Sequence, residues 1–238
     1  MCIRDSHKNT VIMRRNVIIM TVLAAAFGLA ACNGDNDAAS GSNYINEAEQ
    51  QVPLEQHPLF GEVPSLQKQL TKALDLLDDA LDAERNAVRA KADNDNYEEV
   101  TTKVKELDAE QEATAKEIEQ YFTTKIDEAM KGLTGKEIPV EPDAKTYSAA
   151  KATIVGYKYD GGGNGNILVN ANFTTARQLK TLGSKYTQVS WHWICASGER
   201  TGSGMRQFDT PFKSGDEVRL DSITVPDIDI AKISFTDD

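Results

Sequence analysis

Apolar residues recur at helical spacing along two stretches in the first half of the chain. Over residues 65–92, leucine and alanine return every three or four positions and share one face of a helix, opposite a charged face. Residues 97–131 show a heptad-like repeat of apolar positions. Between them, residues 93–96 are Asp or Asn, which favour turns through side-chain hydrogen bonds. The pattern predicts an antiparallel, coiled-coil-like helical hairpin over residues 62–133, and one long kinked helix is the alternative.

Two single residues indicate where these helices begin and end. Ser65 has a side-chain oxygen that can accept a hydrogen bond from the first turn of the first helix. Gly132 follows the last apolar position of the second helix, and glycine readily adopts the left-handed conformation that ends many helices. We therefore expect Ser65 to cap the first helix and Gly132 to stop the second.

The second half of the chain has a composition that is typical of strands. A linker over residues 134–148 contains one glycine and two prolines, and glycine, aromatic and β-branched residues follow it. A glycine-rich loop over residues 160–166 joins the first two predicted strands. The predicted strands are residues 152–159, 167–173, 188–196, 217–224 and 228–235. Five to seven short strands fit an antiparallel β-sandwich over residues 149–238, immunoglobulin-like in broad shape, so the predicted fold class is α+β.

A mostly apolar run of fifteen residues, 17–31, lies near the amino terminus and follows Arg14 and Arg15. A membrane-spanning helix needs about 20 apolar residues, so a cleaved signal explains this run better than a membrane span. The run ends directly at a cysteine, and polar residues follow it. Its last residues and that cysteine are Leu29, Ala30, Ala31 and Cys32. This order of positive charge, apolar run and Leu-small-small-Cys resembles the signal of bacterial lipoproteins, with its lipobox.

The resemblance implies how the chain is processed and where it is located. The signal peptide, residues 13–31, would be removed, and Cys32 would carry diacylglycerol on its sulfur and a fatty acyl group such as palmitate on its new amino group. In this family, Asp directly after the lipidated cysteine resembles a signal for retention in the inner membrane. This chain has Asn33 at that position, which favours the outer membrane of a Gram-negative bacterium, on its periplasmic or cell-surface face. Residues 1–12 precede the signal and are interpreted as a spurious upstream extension. Residues 32–61 are polar and lack apolar periodicity, which predicts a flexible tether.

The chain is acidic, with a net charge of −11. Loss of residues 1–31 makes it more acidic, because they hold four basic residues and one acidic residue. Such a surface repels nucleic acid, which we do not expect as a partner. It also repels anionic lipid headgroups, so we expect contact with the membrane through lipidated Cys32.

Cysteine usage is sparse in the predicted mature chain. Besides Cys32, only Cys195 would remain after processing. We expect Cys195 to be a small buried residue on a strand, and we expect no disulfide within the mature chain.

No motif in the sequence indicates catalysis or metal binding. His57 and His192 have no second histidine at ligand spacing, so we do not expect zinc. Residues 160–166 lack the Lys-Ser/Thr ending of a phosphate-binding loop and precede a predicted strand, so they are interpreted as a turn. We therefore expect a protein without enzymatic activity, metal or cofactor.

The cluster that bears most directly on binding is Trp191, His192 and Trp193. In a strand, the two tryptophans share one face and His192 lies on the other. Exposed tryptophans can stack on sugar rings or contact a protein partner. Val189 and Cys195 lie on the tryptophan face, which favours packing in a core and leaves His192 toward solvent.

These features predict a lipid-anchored cell-envelope protein with a non-catalytic role in binding or assembly. Its partner would be an envelope protein or a polysaccharide. The first alternative is a glycan-binding lipoprotein of a surface uptake system, which exposure of both Trp191 and Trp193 would favour. The second is a hydrolase with an unrecognised site, which a deep cleft with paired carboxylates would favour.

Overall fold

A computed structural model describes residues 41–93, 95–183, 186–225 and 229–237. The predicted upstream extension, the predicted signal peptide and the lipidation site Cys32 lie outside the described residues, as does the first part of the predicted tether. Within the described ranges, none of the helices is both long and apolar enough to span a membrane.

Helices occupy the first part of the described residues: α1 (Gly41–Gln51), α2 (Val63–Arg89) and α3 (Tyr97–Lys131). The bounds of α2 and α3 agree with the two predicted helices to within three residues, because a repeated apolar face is a local signal. The apolar faces of α2 and α3 pack against each other and bury Leu77, Leu107 and Ile118.

The prediction of a flexible tether over residues 32–61 is wrong for residues 41–51, because they form α1. Ile45 and Ala48 of α1 are buried, and α1 contacts both other helices. Glu49 of α1 also accepts two hydrogen bonds from side chains of α3. So few buried apolar positions produce no periodic signal, and a helix this short depends on its neighbours for stability.

Both predicted helix ends are wrong in detail. The helix α2 begins before Ser65, with a proline in its first turn, where the missing N–H of proline costs nothing. The buried Ser65 hydroxyl instead accepts a hydrogen bond from the Glu55 N–H at 3.0 Å and donates to its carbonyl at 3.3 Å. Gly132 has a right-handed φ of −80°. The left-handed glycine is Gly135, whose N–H donates to the Ile154 carbonyl at 2.8 Å and connects the end of α3 to a sheet.

The rest of the chain forms two antiparallel sheets, and the α+β class is confirmed. The described strands are β1 (Glu137–Ile138), β2 (Tyr147–Gly161), β3 (Asn164–Thr175), β4 (Thr181–Leu182), β5 (Tyr186–Cys195), β6 (Arg200–Phe208), β7 (Glu217–Thr224) and β8 (Ile230–Thr236). One sheet has the order β1-β2-β3-β7, and in the other β5 pairs with β4, β6 and β8. The five predicted strands correspond to β2, β3, β5, β7 and β8.

Side chains of both sheets meet in one apolar core. Phe173 of β3 stacks on Phe235 of β8 with 5.4 Å between ring centroids, and Tyr147 of β2 contacts both rings. The same core continues to the buried faces of α2 and α3. Residues from Gly41 onward belong to one compact unit, so helices and sheets are stabilised together.

Cys195 ends β5 and is buried, as predicted. It is also disulfide-bonded, whereas the sequence led us to expect no disulfide in the mature chain. The other two cysteines of the chain, Cys2 and Cys32, both lie outside the described residues.

Candidate functional site

A cavity of about 470 Å³ lies between the first half of α2 and the start of β3. Its volume falls within the range of about 300–1,000 Å³ that is typical of small-molecule sites. Its lining includes four buried apolar residues, namely Phe60, Val63, Ile167 and Val225. This combination of size and apolar wall makes the cavity the candidate binding site.

The turn between β2 and β3 packs closely on α2 because Gly163 leaves room for it, while Gly165 leaves room for a tyrosine of β2. Gly163 has a φ of 77°, and a Cβ atom there would lie 2.7 Å from the Leu74 Cδ1 of α2. The Tyr157 ring covers Gly165, where a Cβ atom would lie 2.3 Å from the ring. A turn is confirmed here, but it is shorter than the predicted loop over residues 160–166, because the strands pair up to Gly161 and Asn164 and only two glycines lie between them. Gly165 also lines the cavity, and a side chain at that position would need the packing to shift.

Hydrogen bonds hold this β2–β3 hairpin against the helices. The Gln67 Nε2 of α2 donates to the Gly165 carbonyl at 2.8 Å, and the Thr71 hydroxyl lies 3.5 Å from the Gly163 carbonyl oxygen. The Tyr159 hydroxyl reaches an Asp127 carboxylate oxygen of α3 at 3.0 Å. Hydrogen bonds to both α2 and α3 therefore fix the position of the hairpin, and hence the shape of the cavity.

Burial raises the pKa of the Tyr159 hydroxyl well above its ordinary value, and the hydrogen-bonded Asp127 carboxylate acts in the same direction. Burial also raises the pKa of Tyr157, with a smaller effect from Asp160. Both hydroxyls therefore stay protonated at neutral pH. Tyr159 can keep donating to Asp127, which suits a structural role in the hairpin.

His57 stabilises the loop that carries Phe60 into the cavity wall. Its ring stacks on the Phe60 ring at 4.9 Å between centroids. Its Nδ1 accepts hydrogen bonds from the Leu59 N–H at 3.1 Å and the Phe60 N–H at 3.2 Å. Burial lowers the pKa of His57, which favours the neutral ring that this acceptor role requires.

Charged side chains of α2 lie at the rim of the cavity. Lys68 and Lys72 are one helical turn apart, the first exposed and the second half-buried, and Asp75 follows about one turn later. Within the described part of the chain, neither lysine forms an ion pair with a carboxylate. Like charges four positions apart on a helix repel each other by about 0.2–0.5 kcal/mol. The rim therefore presents two neighbouring positive charges to a ligand.

The tryptophan cluster lies on β5, away from the residues that line this cavity. Trp193 is only 1% exposed and belongs to the core. Trp191 is half-buried and covers Gly204 of β6, where a Cβ atom would lie 2.3 Å from the indole. His192 is half-buried. Exposure of both tryptophans was expected to favour glycan binding, and Trp193 is not exposed.

Of the sequence-predicted site residues, Cys32 lies outside the described residues. Across the ranges that the structure describes, no group of three His, Cys, Asp or Glu side chains is arranged to hold a metal ion. The residues at the cavity rim were not predicted as site residues. The one signal that could have marked them is the charge along α2, which is basic at Lys68 and Lys72 and acidic from Asp75 to Glu84.

Known proteins provide no further information on this site. No protein-family model, curated protein or solved structure matches the chain. What the cavity binds has to be inferred from its own residues.

Proposed function

We propose that this chain is a lipid-anchored protein of the bacterial cell envelope with a non-catalytic role, which is to bind a small ligand in the cavity between α2 and the β2–β3 hairpin. The observation that carries the binding role is the apolar wall of that cavity, formed by Phe60, Val63, Ile167 and Val225. Apolar pockets with a few polar groups at defined positions are the usual form of small-molecule sites.

The proposed location depends on the lipobox resemblance. Cys32 would be lipidated and held in the outer membrane, and the described part of the chain begins nine residues later at Gly41. Nine extended residues span at most about 30 Å. The compact unit would therefore stay close to the membrane surface, where amphiphilic molecules are concentrated.

The proposal includes a finer architecture than the α+β class. We interpret α2 and α3 as an antiparallel hairpin, which is supported by contacts from Arg85 to Asp108 and from Asp78 to Gln111. We interpret the two sheets as a sandwich, immunoglobulin-like in broad shape, which is supported by the aromatic core that they share.

The anchor is tested by substituting Cys32. The variant Cys32→Ala should lose partition into a detergent phase and should be released from membranes, whereas Cys195→Ala should still partition. Mass spectrometry of the wild-type amino-terminal peptide should find three acyl chains on Cys32. One sulfur cannot carry both a thioether and a disulfide, so a Cys32 peptide linked to Cys195 would contradict the proposal.

The binding role is tested by photo-crosslinking in intact cells. A photoreactive amino acid replaces Thr71 at the cavity, and the control position is Thr102 on α3. Both threonines are exposed, and both hydroxyls donate to the carbonyl four residues earlier. A small-molecule adduct at position 71 and none at position 102 is the expected result. Equal labelling at the two positions, or no adduct at 71, would count against binding in the cavity.

A further inference from the structure

We infer that the ligand of this cavity is a single-chain amphiphile with one carboxylate, such as a fatty acid, whose chain lies against the apolar wall and whose carboxylate contacts Lys68 and Lys72. This inference rests on the proposed binding function and names its ligand class.

The wall favours a hydrocarbon chain over a polar molecule. The buried side chains that line the cavity, Phe60, Val63, Ile167 and Val225, offer no hydrogen bond. The carbonyl of Gly165, which also lines the cavity, already receives the Gln67 amide at 2.8 Å. Against this apolar part of the wall, a sugar would lose the hydrogen bonds of its hydroxyl groups to water, whereas a chain of methylene groups would lose none. The polar lining residues, such as Thr71 and Asn166, are separate from these four side chains.

The rim favours one negative charge. Lys68 and Lys72 repel each other and have no carboxylate partner within the described residues, so an anion between them would relieve that repulsion. Asp75 also lines the cavity and would repel a second negative charge. A carboxylate carries a single charge at neutral pH, whereas a phosphate monoester carries nearly two. Because the whole chain is acidic, these lysines provide the local attraction that a free anion needs.

The volume suits a single-chain ligand. The cavity of about 470 Å³ lies within the range of about 300–1,000 Å³ that is typical of small-molecule sites. Dodecanoate, with twelve carbons and two oxygens, is a small molecule with one chain. A two-chain phospholipid is far larger than the cavity.

The test uses residues 33–238, which contain every described element but neither Cys2 nor Cys32, so the Cys195 disulfide is absent. Its thermal melting is therefore first compared with that of the full chain. Isothermal titration with dodecanoate below its micelle concentration should give one site per chain. Dodecanol should bind at least tenfold more weakly, dodecylammonium more weakly still, and acetate not at all. The variant Lys68→Gln/Lys72→Gln should lose at least tenfold in dodecanoate affinity and little in dodecanol affinity.

Two control variants separate charge and shape from folding. Lys105→Gln removes an exposed lysine of α3 and should bind dodecanoate as the wild type does. Val52→Trp adds bulk at the edge of the cavity and should weaken both dodecanoate and dodecanol. Each variant is compared with the wild type by its melting curve, so that loss of binding is not confused with loss of fold.

Different failures have different meanings. If dodecanol and dodecylammonium bind as tightly as dodecanoate, the carboxylate inference is wrong and the binding function stands. If acetate binds as tightly as dodecanoate, the apolar chain has no role, and the inference is again wrong. If residues 33–238 bind dodecanoate but the lipidated protein does not, the anchor's own acyl chain occupies the cavity, which overturns the inference. If no amphiphile binds and position 71 captures nothing, the proposed function fails as well.

Discussion

The two ends of the α2–α3 pair are stabilised in different ways. Near the sheets, Leu70 of α2 and Phe122 and Ile126 of α3 are buried in the common core. At the other end, Arg85 of α2 is buried, and its guanidinium group bonds to Asp108 of α3 at 2.9 Å. Where the sheets cover the helices, burial of apolar side chains holds α2 and α3 together. Where the sheets do not cover them, directional hydrogen bonds help to align one helix with the other.

The largest expected effect is at Trp193, in the apolar core to which both sheets contribute. Trp193→Ala should cost about 3–5 kcal/mol, as truncations of large buried aromatics do, because Trp193 is only 1% exposed. Trp191→Ala should cost less than half as much, since its indole is only half-buried. Denaturant unfolding of the two variants measures both values. If Trp193→Ala is as stable as the wild type, Trp193 does not contribute to the core.

The second effect concerns the contact between helix and sheet. Gly163→Ala should cost about 1–2 kcal/mol for its left-handed backbone, and more because the new Cβ would meet the Leu74 side chain. Gly183 also has a positive φ, 66°, but open space around it, so Gly183→Ala has only the backbone cost. Denaturant midpoints should therefore fall further for Gly163→Ala. Equal losses would mean that the hairpin does not pack closely on α2.

The third effect tests the polar end of the pair. Arg85→Ala removes the bonds to Asp82, Asp108 and Gln111, so this end should open more often while the sheets stay intact. Hydrogen exchange should speed up near Arg85 and Asp108 and stay unchanged at β3 and β5. The matched control is Arg89→Ala, an exposed arginine one turn further along α2. Similar exchange in both variants would show that the buried guanidinium contributes nothing to the alignment of the helices.

The smallest effect is the pH dependence of the contact between α1 and α3. Burial acts to raise the pKa of Glu49, but hydrogen bonds from Lys125 and Tyr121 outweigh it, and the pKa lies below its ordinary value. The ion pair therefore stabilises the folded state above the pKa of the unfolded chain, and this stabilisation is lost as the pH falls through the lower folded value. Melting temperatures between pH 7 and pH 3 should show Glu49→Gln converging on the wild type in acid.

The control for this prediction is an exposed ion pair. Glu112 and Lys116 are close together on the open surface of α3, at 2.6 Å, so solvent screens their attraction. Glu112→Gln should change the melting temperature less than Glu49→Gln at pH 7. A larger change at Glu112 would mean that burial does not strengthen the α1 contact.

The sequence predicted the elements whose signals are local. The bounds of α3 and β7 agree with the predicted ranges, because an apolar face with a regular period is visible within one segment. The strand β6 was missed for the opposite reason. None of its residues is buried, and it is held to β5 by backbone pairing, which leaves little side-chain pattern. At the end of β5, Trp193, Ile194 and Cys195 are all buried next to a register shift, so the simple alternation of faces fails there.

The sequence by itself therefore determined the α+β class, the two long helices, the glycine-rich turn and most of the strands. Tertiary structure alone decided that residues 41–51 are helical, that β8 pairs with β5, and that Gln67 meets Gly165 across 98 residues of chain. The physical reason is the range of the interactions. Helix and strand periodicity depends on neighbours a few residues apart, whereas the cavity exists only after burial of apolar surface has brought α2 and the β2–β3 hairpin together.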